Sequence, residues 1–153
     1  MLVGRHLFWS SALIVVNIFL LDLALNQPAT QSSVYSEPGK SGVASLAVDG
    51  NRDGDWEKGF CIRTATENNP WWRVDLGASL PVAEVIIVNR VCTSCANDMN
   101  AFEIRIGKAI FTSLFKTHIL SRKKCNSFEV SNAMQACHTD MRQVYDFVIF
   151  SLT

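Results

Sequence analysis

Apolar and polar residues alternate along much of this chain with a period of two, the spacing of a half-buried β-strand. The stretch Trp71-Trp72-Arg73-Val74-Asp75-Leu76-Gly77 carries that pattern most clearly. Trp72, Val74 and Leu76 point one way, and Arg73 and Asp75 point the other, two apart and able to pair; Gly77 ends the run. Phe102, Ile104 and Ile106 alternate with Glu103 and Arg105 in the same manner. Pro81 to Asn89, with its β-branched Val85, Ile86, Ile87 and Val88, predicts a strand, and Val144 to Phe150 predicts a last apolar one. Leu23 to Ser33 reads as extended and polar. Pro38 and Gly39 mark a turn over 36–42, Ala44 to Val48 admits one helical turn, and Asp49 to Gly59 reads as a loop. Many short strands without long helical periodicity predict an all-β fold, an antiparallel β-sandwich or jelly roll.

One segment breaks the alternation. Leu7 to Leu21 is apolar apart from Ser10, Ser11 and Asn17, and it follows Arg5 and His6. It falls short of the ~20 apolar residues that a spanning helix needs and fits the roughly 7–15 of a signal-peptide core. The expectation is a hydrophobic signal helix within residues 1–21, cleaved so that nothing stays in the membrane, and one domain over 22–153. An uncleaved anchor is the alternative, because Asp22-Leu23-Ala24 is a poor cleavage site.

Composition narrows the classes. With 153 residues there is room for one domain and little more. Fourteen basic and 14 acidic residues cancel, which argues against a nucleic-acid-binding surface. Five cysteines fit a secreted, extracellular chain, and the odd number leaves one thiol unpaired or paired with another chain. By spacing, Cys125 and Cys137 can close a short loop. Cys92-Thr93-Ser94-Cys95 has the form of a redox site but lacks the helical context of one, so it reads as a local loop bridge or two free thiols. Three scattered histidines, with no Ser-His-Asp, zinc-ligand or phosphate-loop pattern, argue against an enzyme. Asp49, Asn51, Asp53 and Asp55 supply the oxygens that a hard cation wants. From the residues alone, a solvated turn capped by its own Asx side chains is the plainer reading.

In order and spacing, Ala47-Val48-Asp49-Gly50-Asn51-Arg52-Asp53, the Trp71-Trp72 strand, Val88-Asn89-Arg90 and Phe102-Glu103-Ile104-Arg105-Ile106-Gly107 resemble the F-type lectins (fucolectins), secreted β-sandwich proteins that bind fucose. The resemblance is close from Leu23 to Gly107 and looser from Cys125 to Phe150. It implies a structural calcium on the Asp49 carboxylate, with the carbonyls of Leu46, Asn51 and Phe60. It also implies a sugar site. Arg90 matches the family's first arginine, and Arg63, 27 positions earlier, stands where the family has histidine. Trp56 falls at the position of an aromatic that meets the fucose methyl group. Asp98 falls near the family's second arginine, with opposite charge. The family's vicinal cysteine pair is spread here into Cys92 and Cys95. Cys125 and Cys137 resemble a late intradomain pair. Cys61 resembles a cysteine whose partner lies in a final strand, which this chain, ending at Thr153, lacks; that makes Cys61 the unpaired one of the five and the chain a divergent, C-terminally truncated relative.

The function implied is recognition of fucosylated glycans with calcium as a structural ion, in innate defence, with homo-oligomers as in family members. The alternative is a module of the same fold that has lost sugar binding and contacts protein or membrane surfaces.

Overall fold

A computed structural model describes the backbone of residues 8–13, 15–16, 21–82, 84–90, 102–109, 117–125, 134–138 and 144–152, and side chains over 21–82, 85–90, 103–107, 147–149 and 151. The strands in chain order are β1 (Phe8–Leu13), β2 (Val15–Val16), β3 (Leu21–Asp22), β4 (Ala29–Gln31), β5 (Ser36–Glu37), β6 (Lys40–Ser41), β7 (Cys61–Arg63), β8 (Trp71–Pro81), β9 (Glu84–Asn89), β10 (Phe102–Ala109), β11 (Thr117–Cys125), β12 (Met134–His138) and β13 (Val144–Leu152). Two antiparallel sheets form the body, one of four strands in the order β12-β9-β1-β7 and one of five in the order β11-β10-β13-β8-β4. This is the expected all-β sandwich.

The core lies where the period-two pattern puts it. Val74, Val148 and Ile106 stand side by side across β8, β13 and β10, each 2% exposed or less. They meet Ile62, Val85 and Ile87 from the smaller sheet in one apolar cluster. Trp72 is fully buried, and its indole nitrogen donates to the carbonyl of Ala44 at 3.0 Å, so the large apolar body carries no orphaned donor inward. That bond ties β8 to the 3-10 turn Ala44–Ala47, the single helical turn expected there.

The structure departs from expectation in four places. Phe8–Leu13 is not a helix: it is a strand in the smaller sheet, antiparallel to β7 on one side and β9 on the other. An apolar run of that length fits a buried strand as well as a helix, and here two edges with unpaired backbone groups lie ready to receive it. Gly77 does not end β8. With φ +72° it marks a bulge, and pairing to β13 resumes beyond it at Leu80 and Pro81. Glu103, expected on a solvated face, is 2% exposed and ion-pairs with Arg105 at 2.9 Å. Residues 117–124, which the family resemblance leaves uncovered, pair along β10 together with Cys125 as the edge strand β11.

Candidate functional site

Arg63 closes β7, and its surroundings fix it from three directions. Its amide donates to the carbonyl of Gly42 (3.0 Å), while its own carbonyl accepts from the Tyr35 amide (2.9 Å) and the Gln31 side chain (3.1 Å). The guanidinium carbon lies 3.6 Å from the centre of the Tyr35 ring and 5.3 Å from that of Trp56, so the cation rests on aromatic faces. Burial lowers its pKa from the usual arginine range; the like charge of Arg90 adds to that, and Tyr35 and Glu37 oppose it.

Trp56 sits in a 3-10 turn, Trp56–Lys58, that begins with an Asp55 cap on the Glu57 amide (2.9 Å) and ends at Gly59 with φ +77°. The ring is 4% exposed and packs against Tyr35 with centroids 6.0 Å apart. Its indole nitrogen donates to Glu37 at 3.1 Å. Glu37 also accepts from the Tyr35 hydroxyl (3.2 Å) and pairs with Lys40 (3.3 Å). The Trp56 donor, with Lys40 and Tyr35 helping, holds the Glu37 carboxyl below its usual range. Trp56 therefore lies behind Arg63 as a support and does not lie open as a platform.

Arg90 follows β9. Its amide is held by the side chain of Asn89 (2.8 Å), itself 5% exposed. Arg63 pairs with Phe8 and Asn89 with Trp9, so Arg63 and Arg90 flank β1 at one end of the sheet, two strand spacings or ~10 Å apart at the backbone. The structure thus brings together Arg63, Arg90 and Trp56 of the expected sugar site. Asp98, Cys92 and Cys95 lie outside the described residues. Cys125 closes β11 and Cys137 lies in β12, with side chains outside the described set. Cys61 is a buried free thiol, and burial pushes it up to about 12, with Arg90 opposing and Asp55 and Asp53 adding, so it stays protonated and inert at neutral pH.

The acidic loop holds itself. Four successive side-chain oxygens, on Asp49, Asn51, Asp53 and Asp55, each accept from the amide two residues on, at 2.8, 2.9, 3.1 and 2.9 Å. This is the Asx-capped turn the residues predict. Lys58 pairs with Asp53 (2.8 Å) and Asp55 (3.6 Å), which leaves Asp49 clear of it. Among the described residues no three His, Cys, Asp or Glu side chains group to hold a metal. A calcium would rest on one carboxylate, Asp49, and on the carbonyl oxygens of Leu46, Asn51 and Phe60, a donor set whose chemistry suits a hard cation.

Residues 46–144 match the family model described as the NedA-like, galactose-binding domain of the F5/F8 type C group. The chain belongs to that family, as an F-type lectin. Fucolectin-1 of Anguilla japonica is 39% identical over 92 residues, which cover 58% of this chain and 50% of the relative. This F-type lectin thus spans about half the length of the curated relatives it matches. Among solved structures, the lectin domain of lectinolysin complexed with Lewis B antigen superposes with TM-score 0.72 at 27% identity, covering 85% of this chain and 84% of that one. The f-lectin from Morone saxatilis (striped bass) serum superposes with TM-score 0.68 at 32% identity, covering 85% of this chain and 42% of that one.

Sequence reasoning did not find Tyr35, Glu37, Lys40 and Gly42 as parts of the site. They sit in a turn-rich segment whose only visible signals were Pro38 and the glycines, and they meet Arg63 and Trp56 only once the chain has folded.

Proposed function

We propose that this F-type lectin is a binding module, not an enzyme, that recognises fucosylated glycans through Arg90 and Arg63, with Trp56 backing Arg63. The observation that carries this reading is the pair of arginines flanking one end of β1, one of them immobilised on Tyr35 and Trp56. Neutral polyols are held by donors fixed in advance, because a donor already ordered loses little entropy on binding. The relatives support the same ligand class: one neighbour is complexed with Lewis B antigen, and the other relatives named are a fucolectin and an f-lectin. Calcium on the Asp49 loop acts as a structural ion, the protein works outside the cell in innate recognition, and it self-associates.

The second reading, a module of this fold without sugar binding, draws on the 4% exposure of Trp56, which closes that ring to a sugar methyl group. A glycan array with the folded chain, with and without calcium, separates the two. Selective retention on fucosylated glycans that falls with Arg90→Ala is the expected result; a folded protein that retains no glycan would leave the second reading.

A further inference from the structure

Two adjacent tryptophans open β8, and the fold treats them oppositely: Trp72 is fully buried, while Trp71 is 37% exposed. An indole left in water gives up the gain of burial, yet this one is firmly placed. Its amide donates to Ser32 Oγ (3.1 Å), and its carbonyl accepts from the Ser32 amide (2.9 Å). From there one run of hydrogen bonds leads toward Arg63. Ser32 Oγ and Ser33 Oγ both donate to Oε1 of Glu67, at 2.6 and 2.5 Å, and Ser33 Oγ accepts from the Ala65 amide (3.0 Å). Ser32 Oγ also lies 3.3 Å from the Trp71 carbonyl, but its one proton serves the shorter bond to Glu67. Both hydroxyls are thereby fixed in direction, and the carboxylate with them. Among the described residues, the second oxygen of Glu67 and the indole nitrogen of Trp71 take no hydrogen bond. Asn68 and Asn69, between them in the chain, are exposed. The cluster adjoins the site already described: the Gln31 side chain donates to the carbonyls of both Ser33 (2.5 Å) and Arg63 (3.1 Å), so the two backbones lie side by side. Tyr35, two residues after Ser33, carries the Arg63 guanidinium.

We propose that Trp71 and Glu67, with the amides of Asn68 and Asn69, form a second sugar subsite that takes a neutral pyranose next to fucose in the same glycan. The inference rests on the fucose-binding reading and extends its ligand from one sugar to an oligosaccharide. A pyranose has an apolar C–H face and a polar rim. The face rests on the indole, and a rim hydroxyl donates to the open oxygen of Glu67 in a charge-assisted bond. The same carboxylate repels an acidic sugar, which is why the ligand is neutral.

The test uses the full chain and two probes, methyl fucoside and a neutral fucosylated tetrasaccharide. Titration calorimetry should give about tenfold tighter binding of the tetrasaccharide, the increment of one charge-assisted hydrogen bond with an aromatic contact. Trp71→Ala should bring the tetrasaccharide down to the level of methyl fucoside and leave methyl fucoside unchanged. Trp71→Phe, which keeps a ring, should retain part of the gain, and Glu67→Gln should weaken the tetrasaccharide alone. Thermal melts confirm that the variants fold. A measurement on the parent needs no variant: the tetrasaccharide, and not methyl fucoside, should shield tryptophan fluorescence from quenching by acrylamide. Equal affinity of the parent for both probes, or a Trp71→Ala loss of the same size for both, overturns the inference and leaves the fucose reading standing. Failure of both probes to bind the folded parent overturns the fucose reading and the inference with it.

Discussion

Gly42 and Arg63 are in backbone contact so close that a methyl group cannot come between them. A Cβ built on Gly42 stands 2.4 Å from the Arg63 amide nitrogen and 2.7 Å from its Cβ. The same pair shares the hydrogen bond from the Arg63 amide to the Gly42 carbonyl. Gly42→Ala should therefore push β7 away from its neighbour, at a cost of about 1–3 kcal/mol of stability. It should also weaken glycan binding, because Arg63 shifts with the strand. Denaturant melts and titration of a fucosylated probe check both effects; a variant that melts and binds like the parent would remove Gly42 from the site.

Cys61 makes stability depend on alkaline pH. Its thiol stays protonated in the fold up to about 12, against 9.0 when unperturbed, and burial is the leading cause. Between those two values the unfolded chain has lost the proton and the folded chain has kept it. Stability is then whole below pH ~9 and declines as the pH rises toward ~12, by up to about 4 kcal/mol from this group. Lysines and tyrosines titrate in the same window, so the comparison is with Cys61→Ala. The parent should lose more stability than the variant between pH ~9 and ~11, and thiol reagents should react with the native parent far more slowly than with the unfolded chain. Equal pH slopes would show that the thiol is not desolvated.

Much of this arrangement could be read from the residues because it follows local periodicity. Trp72, Val74 and Leu76 alternate with Arg73 and Asp75, and the fold buries the first three while pairing the other two at 3.9 Å. Arg63, Arg90 and Trp56 were legible through family spacing. The supports of Arg63 were not, since Tyr35 and Gly42 reach it through contacts that no window of sequence contains. Glu103 was misread because alternation gives the face but not what covers it. The Phe8–Leu13 run was misread for a related reason: a short apolar segment takes strand or helix form according to the partners it meets.

Calcium on the Asp49 loop has a thermal signature. The chain of Asx bonds from Asp49 to Glu57 holds the loop without metal, so chelation should not unfold it. An ion bound only by the folded state adds stability by mass action, about 2.7 kcal/mol at a hundredfold excess over its Kd. Melting in excess calcium should occur several degrees above melting in chelator, and Asp49→Ala should cancel the difference. Coincident melts of the parent under both conditions would dismiss the ion.

The sharpest structural consequence belongs to β1. Because Phe8–Leu13 pairs with β7 and β9 at once, taking it away opens two strand edges inside one sheet and leaves both rows of backbone groups without partners. It also removes the spacer that sets Arg63 and Arg90 apart. A chain starting at Asp22 should therefore melt about 10 °C or more below the full chain, given the loss of several backbone hydrogen bonds in a domain of this size. It should also bind glycans more weakly and associate through its open edges. Adding a synthetic peptide of residues 1–20 should restore part of the melting temperature, which a general loss of solubility would not allow. If the shorter chain instead melts and binds like the longer one, the smaller sheet closes without β1, and the N-terminal segment is free to serve as a cleaved leader.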